Sequence, residues 1–275
     1  MNFGIIIIGD EILSGRRQDK HLAKVIELFG TRGLQLAYAD YVGDSPERIT
    51  DTLRRAFASG DVVFSFGGIG ATPDDHTRQC AAAALARPLV LHPQARELIR
   101  ERMQDLAREK GIPYEPERDE NLHRLNMGMF PEGAQIIPNP YNKIPGFSCE
   151  GSDPHAVGEC GGVYFVPGFP VMAWPMVEWV LDSFYGAHFK RHAWQEKSII
   201  VFGAMEASLT PLMERIEAAH AVKVFSLPSV DHAEYGRHID LGVKGAPEAV
   251  ELAYAELVTE LRSMQLPLGP EMVRG

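Results

Sequence analysis

The run Val62-Val63-Phe64-Ser65-Phe66 leads at once into Gly67-Gly68-Ile69-Gly70-Ala71-Thr72-Pro73-Asp74-Asp75-His76-Thr77. No other segment restricts the folds open to this chain so strongly. An apolar, β-branched stretch ends in a glycine turn that opens into a helix beginning near Thr77. Glycines at 67, 68 and 70 remove side chains where a backbone must pass close to something. Their N–H groups, followed by a helix N-terminus, suit a phosphate or another anion. Asp74 and Asp75 place carboxylates beside that cradle, where a phosphate would be repelled unless a cation stood between them. A plainer account is also open, in which the glycine turn with an aspartate cap simply starts a helix. The spacing fits neither standard nucleotide loop, because no lysine follows as in a Walker loop and no third glycine completes a dinucleotide fingerprint.

The flanking sequence sets this segment in a repeating order. Phe3–Ile8 reads as a central parallel strand. Asp19–Phe29 has helical periodicity through Leu22, Val25, Ile26 and Phe29. Leu34–Val42 alternates like a strand, and Ser45-Pro46-Glu47 opens a helix with proline in its first turn. Strand, helix, strand, helix, strand, loop, helix implies an α/β fold with a parallel sheet and helices on both faces. Ligands of such sheets bind beyond the carboxyl ends of the strands. Three carboxylate-bearing turns are expected to converge there: Gly9-Asp10-Glu11, Gly43-Asp44 and Gly67–Asp75.

Pro93–Lys110 reads as a long amphipathic helix. The stretch from Ile112 to Gly162 is rich in Pro, Gly and Asn, with short strand candidates at Gln135–Ile137 and Gly162–Val166. Pro138-Asn139-Pro140 and Ile144-Pro145-Gly146-Phe147 read as rigid turns, and Ser148–Gly161 as a mobile surface hairpin or loop. Val166-Pro167-Gly168-Phe169-Pro170 ends a strand before a helix over Val171–Tyr185, and Pro167 and Gly168 offer a second backbone cradle. Past Lys190 the pattern becomes βαββα, which suits a small α+β domain with an antiparallel sheet. Domains are therefore expected at 1–190 and 191–275.

A formal charge of −10 and the lack of a lysine/arginine block argue against a nucleic-acid partner. An anionic ligand then needs a local basic patch, such as Arg16, Arg17 and Lys20, or a cation. Cys80, Cys149 and Cys160 are odd in number and lack metal-ligand spacing, so reduced thiols and a cytoplasmic location are expected. Cys160 lies in a glycine-rich turn where exposure is expected. The apolar start is too short for a membrane span and reads as a buried strand rather than a signal peptide.

Through Gly9-Asp10-Glu11, Gly43-Asp44 and the Gly67–Thr77 loop, the chain resembles the molybdopterin-binding (MoaB/Mog-like) family, and within it the amino-terminal part of CinA proteins. Phe130-Pro131-Glu132-Gly133-Ala134, Asn139-Pro140, Pro145-Gly146-Phe147 and Val166–Pro170 continue the match in order, and the region past Lys190 resembles the small domain that follows in CinA. The resemblance implies a three-layer α/β/α domain with a mostly parallel sheet. It also implies a phosphorylated pterin or nucleotide ligand, Mg²⁺ or another divalent cation such as Mn²⁺ or Co²⁺, a monovalent cation as a further candidate, and a homo-oligomer, with a dimer as the guess. CinA-like domains are associated with hydrolysis of ADP-ribose-type pyrophosphates, Mog-like relatives with adenylylation of molybdopterin, and a similar domain of FAD synthases with FAD hydrolysis. The carboxy-terminal amidohydrolase domain of full-length CinA has no counterpart here, so deamidation of a nicotinamide nucleotide is not expected. Ile69, Ala71, Asn142, Lys143 and His21 depart from the family pattern; many relatives carry asparagine at the His21 position.

From this follows the expected reading, a metal-dependent nucleotide pyrophosphatase. Asp75 and Asp44 would hold the cation, and Asp10 or Glu11 would assist it or orient water. Gly67, Gly68, Gly70, Thr72, Asp74, Thr77, Lys143, Pro167 and Gly168 would contact the ligand, with the Gly68 and Gly70 N–H groups stabilising phosphate charge. Two alternatives stand beside it: a molybdopterin-binding or adenylylating protein, and a non-catalytic nucleotide or pterin sensor. Single residues carry alternatives too. Asp10 also fits a helix cap and Asp44 a turn cap. Glu11 and Lys143 also fit solvated positions, and His76 an exposed helix start. His188 and His192 have the i, i+4 spacing of a metal pair, while His232 and His238 look incidental. Trp174, Met176 and Trp179 read as core or subunit-contact residues.

Overall fold

The computed structural model describes residues 2–150, 161–189 and 195–274. The chain divides into two compact units, Met1–Phe189 and Lys190–Gly275.

In the first unit the elements run β1 (Phe3–Ile8), α1 (Asp10–Leu13), α2 (His21–Gly30), β2 (Leu36–Val42), α3 (Pro46–Ser59), β3 (Val62–Phe66), α4 (Thr77–Leu85), β4 (Leu89–Leu91), α5 (Pro93–Glu109), α6 (Asp119–Leu125), β5 (Met129–Pro131), β6 (Gln135–Ile137), β7 (Gly146–Glu150), β8 (Gly162–Val166) and α7 (Pro170–Phe184). The main sheet has the order β2-β1-β3-β8-β7-β6. Its first four strands are parallel, and β7 and β6 add on antiparallel.

Alternation along the strands builds three layers. Phe3, Ile5 and Ile7 face one side with Phe64 and Phe66, and there they meet Val25 and Phe29 of α2 and Met176, Val180 and Leu181 of α7. Ile6, Ile8 and Val63 face the other side and pack on Ile49 and Leu53 of α3, Cys80 and Ala81 of α4 and Ala95 of α5. Because both faces are covered, every residue of β1 and β3 is buried, which is why these strands read as continuous apolar runs. This is the three-layer α/β/α arrangement that the resemblance implies.

Two expectations are corrected here. Gly146–Glu150 is a strand rather than the end of a rigid turn and the start of a loop. A side chain at Gly146 would run into the Phe165 carbonyl of β8, so glycine permits that pairing. Phe147 completes it by stacking between Phe165 and Phe130, at 4.3 and 4.5 Å. Residues 151–160, including Cys160, lie outside the described residues.

The second unit runs β9 (Gln195–Val201), α8 (Glu206–Ala219), β10 (Val222–His232), β11 (Gly236–Gly245), α9 (Pro247–Ser263) and β12 (Leu268–Arg274). Its sheet has the order β10-β11-β9-β12 with every neighbouring pair antiparallel. The pattern is therefore βαββαβ, a split βαβ arrangement, and not βαββα. Pro270 masks β12 in the sequence, and an edge strand is where proline is tolerated. Its core joins Ile199, Val201, Leu241 and Val243 to Leu212 of α8 and Leu257 and Leu261 of α9. Among the described residues no helix is long and apolar enough to cross a membrane.

Candidate functional site

Since β2, β1, β3 and β8 are adjacent and parallel, the turns that follow them open at one edge of the sheet. That edge holds a cavity of about 530 Å³ whose lining includes Gly9, Glu11, Arg17, Asp44, Gly67 to Thr72, Asp74, Asp75, Pro167 and Gly168. Asn139, Asn142, Ile144 and Met172 close another wall. The size is that of a small-molecule site.

The glycine loop is held from below. Gly67 N–H donates to Val166 O (3.0 Å), which ties the loop to β8. Gly67 has φ 96°, and a Cβ there would sit 2.5 Å from Ile8 O, so no side chain is tolerated. Thr77 N–H donates to Gly68 O (3.0 Å) and its hydroxyl to Gly67 O (3.1 Å). Asp75 closes the turn from above. Its Oδ2 accepts from Thr72 N–H (2.8 Å) and from the Thr72 hydroxyl (2.5 Å). Among the described residues, the N–H groups of Gly68, Ile69, Gly70 and Ala71 meet no acceptor. Four open donors in succession, lining a cavity, form an anion cradle.

Charge is arranged asymmetrically around that cradle. Asp10 and Asp44 cap each other across two turns: Asp10 N–H donates to Asp44 Oδ2 (2.9 Å) and Asp44 N–H to Asp10 Oδ1 (3.1 Å). Burial, opposed by the Asp10 N–H but reinforced by the charges of Asp10, Glu11 and Asp74, raises the Asp44 pKa above its ordinary 3.8. Arg17 is the one basic side chain in the described lining, with its guanidinium 3.8 Å from Glu11 and 5.9 Å from the centre of the Phe169 ring.

A divalent cation is implied by the fold family. Among the described residues no group of three or more His, Cys, Asp or Glu is placed to hold one alone. What fits is a Mg²⁺-type ion bound by one or two carboxylates and completed by ligand oxygens and water. Asp44, whose ionisation is disfavoured by burial and by the neighbouring carboxylates, would gain from such an ion. Asp75 Oδ1 has no donor among the described residues and is the second candidate.

Not every expected residue takes the expected place. Lys143 lies outside the described cavity lining: its ammonium is 2.8 Å from Asp105 and 3.5 Å from Glu101, on α5. Thr77 is fully buried and holds the loop through Gly67 O, outside the described cavity lining. Asp10 lies outside the cavity lining, in an adjoining groove with Gly43, Ser45 and Arg48. His188 sits in a 3-10 turn after α7, and His192 lies outside the described residues. Met176 is core, while Trp179 is partly exposed.

Asn139 and Asn142 escaped the sequence reading as site residues, since their turn gave no charge signal. Buried Asn139 accepts from Tyr141 N–H (3.0 Å) and donates to Asn142 Oδ1 (2.8 Å) and Ile144 O (2.9 Å), which shapes that wall.

Residues 4–185 match the family described as "Probable molybdopterin binding domain". The chain belongs to this molybdopterin-binding domain family. It is similar to a CinA-like protein of Syntrophotalea carbinolica, 29% identical over 232 residues, 81% of this chain and 52% of that protein. A CinA-like protein of Anaeromyxobacter dehalogenans is 32% identical over 236 residues, 85% of this chain and 48% of that protein. The chain thus spans about half the length of these CinA-like relatives. The solved structure of CinA from Thermoplasma acidophilum, described as of unknown function, is similar with a TM-score of 0.54 and 26% identity. It covers 66% of this chain and 97% of that one. The molybdopterin-binding domain accounts for the cavity and its glycine loop, which both fall inside the matched residues.

Proposed function

We propose that the first unit binds a phosphorylated pterin of the molybdopterin type, with its phosphate on the 68–71 backbone N–H groups and Arg17 as the neighbouring cation. The observation that carries this reading is the run of four open N–H donors in a cavity of about 530 Å³. Family membership supports the choice of a pterin over other phosphate esters. Preformed donors bind an anion without the cost of ordering a loop, and they act at short range where water is excluded. The test is to extract the purified protein and measure pterin fluorescence, then to titrate wild type and Arg17→Gln with neopterin monophosphate. Saturable binding that weakens about ten-fold in the variant supports the reading. No saturable binding in the folded wild type overturns it.

A second reading has its own observation. Burial first, and then the carboxylates of Asp10, Glu11 and Asp74, raise the Asp44 pKa, and a divalent cation would offset the charge repulsion. A cation between Asp44, Asp75 and a phosphoanhydride would neutralise the phosphoryl oxygens and assist attack by water. The activity would then be metal-dependent nucleotide pyrophosphatase, on ADP-ribose or FAD. Metal-stripped protein should release AMP only when Mg²⁺, Mn²⁺ or Co²⁺ is added back, and Asp75→Asn should abolish the release. Turnover unchanged in Asp75→Asn removes that residue from the mechanism.

A further inference from the structure

Next to the phosphate cradle lies a second cavity of about 330 Å³, which shares Ile8, Glu11, Arg17, Gly168 and Phe169 with the first. Its inner wall is apolar, formed by Ile7, Ile12 and Phe66, whereas Gln18, Asp19 and Lys20 stand among its polar residues. Phe169 marks the junction of the two cavities. It follows directly on the Pro167-Gly168 cradle, and 57% of its surface is exposed. A large aromatic side chain left more than half open where two cavities meet can serve as a stacking platform.

The base of that platform is rigid. His21 is 5% exposed, stacks on Phe66 at 4.4 Å, and lies with Nε2 3.1 Å from Gly168 O. A carbonyl only accepts, so Nε2 carries the proton in this contact. The backbone preceding Phe169 is thereby pinned to α2. The upper side is the opposite. Arg17 lies over the Phe169 ring at 5.9 Å, its side chain is more than half exposed, and its carboxylate partner is 3.8 Å away. An exposed pair of that length holds an arginine weakly. A planar ring inserted between Phe169 and Arg17 needs two contact layers of about 3.5 Å each, about 7 Å in all. An outward shift of Arg17 by about 1 Å opens that space, because the side chain is loosely held.

We propose that the ligand's planar heterocycle stacks on Phe169 beneath Arg17 in this second cavity while its phosphate occupies the 68–71 N–H groups. This rests on the phosphate-cradle reading and adds to it the part of the ligand that the site discriminates. Arg17 then serves both halves, with its guanidinium over the ring and its charge near the phosphate. The site selects phosphate esters that carry a flat, fused ring over sugar phosphates of equal charge.

Two probes, neopterin monophosphate and ribose 5-phosphate, are titrated calorimetrically into the full chain in the presence of Mg²⁺. Pterin fluorescence is followed as a direct report of stacking. Wild type should bind the pterin ester at least about ten-fold more tightly than the sugar phosphate, with quenching of the pterin. Phe169→Ala should remove the quenching and about ten-fold of pterin affinity while the sugar phosphate changes less than about two-fold; Phe169→Trp should restore both. Equal pterin affinity and equal quenching in wild type and Phe169→Ala, with sugar phosphate still bound, overturn the stacking proposal alone. Failure of wild type to bind either probe overturns the phosphate cradle and the stacking proposal together.

Discussion

The Gly67–Thr77 loop and the Asp10/Asp44 pair sit at the same edge of one sheet and are built by the same device, yet they end with opposite chemistry. In both, a carboxylate turns back onto backbone N–H: Asp75 onto Thr72 in the loop, Asp10 and Asp44 onto each other in the pair. In the loop this closure leaves the N–H donors of residues 68–71, which line the cavity, without an acceptor among the described residues. In the pair it consumes the donors and leaves carboxylates together, and burial, reinforced by their charges, drives the Asp44 pKa up. On the proposed reading, one side would receive an anion by geometry, while the other would repel it by charge until a cation intervened. The same carboxylate-to-backbone closure can thus spare a run of N–H donors in one turn and use them up in the next.

The largest effect that would break this contrast is on the loop's backbone. Gly67→Ala should cost about 3 kcal/mol, because it forces a side chain into φ 96° and against Ile8 O. Urea denaturation reads this directly, and a loss under about 1 kcal/mol would mean the loop is not held as described. Next comes Arg17→Gln, which should weaken binding of the phosphate ester about ten-fold while leaving Tm within about 1 °C, since its ion pair is exposed and long.

A smaller effect concerns pH. His21 and His92 both titrate below the ordinary 6.5, chiefly because burial penalises the charged ring. Well above pH 6.5 both folded and unfolded states are neutral, so these groups add no slope. Below it the unfolded chain takes up protons first, and stability falls with falling pH. Thermal melts from about pH 7.5 to 5 should show this fall, with a shallower slope in His21→Gln. An equal slope in that variant would remove His21 from the account.

The smallest expected effect sharpens the acidic half. The folded-state pKa of Asp44 is raised, so ionising it opposes folding as pH rises through that value. Asp44→Asn, which still accepts from Asp10 N–H, should therefore raise Tm at neutral pH without added cation by about 1–2 °C. It should also reduce stabilisation by Mg²⁺. A lower Tm in metal-free buffer would contradict the electrostatic reading.

How much of this was legible depended on how far apart in sequence the partners lie. β1 and β3 were readable because burial on both faces demands unbroken apolar runs. β7 and β12 were not, since Pro145-Gly146 and Pro270 imitate turns, and only their neighbours in the sheet decide otherwise. The position of the glycine loop followed from strand order alone. Its supports did not: Thr77 looks like a ligand contact until its hydroxyl is found on Gly67 O. Nor does the sequence show that Lys143 pairs with Asp105 and Glu101, about forty residues earlier. The reciprocal caps of Asp10 and Asp44 join positions separated by 34 residues, so no local pattern announces them.

The central claim is that the backbone N–H groups of residues 68–71 receive a ligand phosphate. Its most direct test is an amide NMR titration of the labelled chain with neopterin monophosphate. The account predicts large, saturable shifts at Gly68, Ile69, Gly70 and Ala71 with one shared affinity. Saturable shifts elsewhere, with these four amides unmoved, would contradict it.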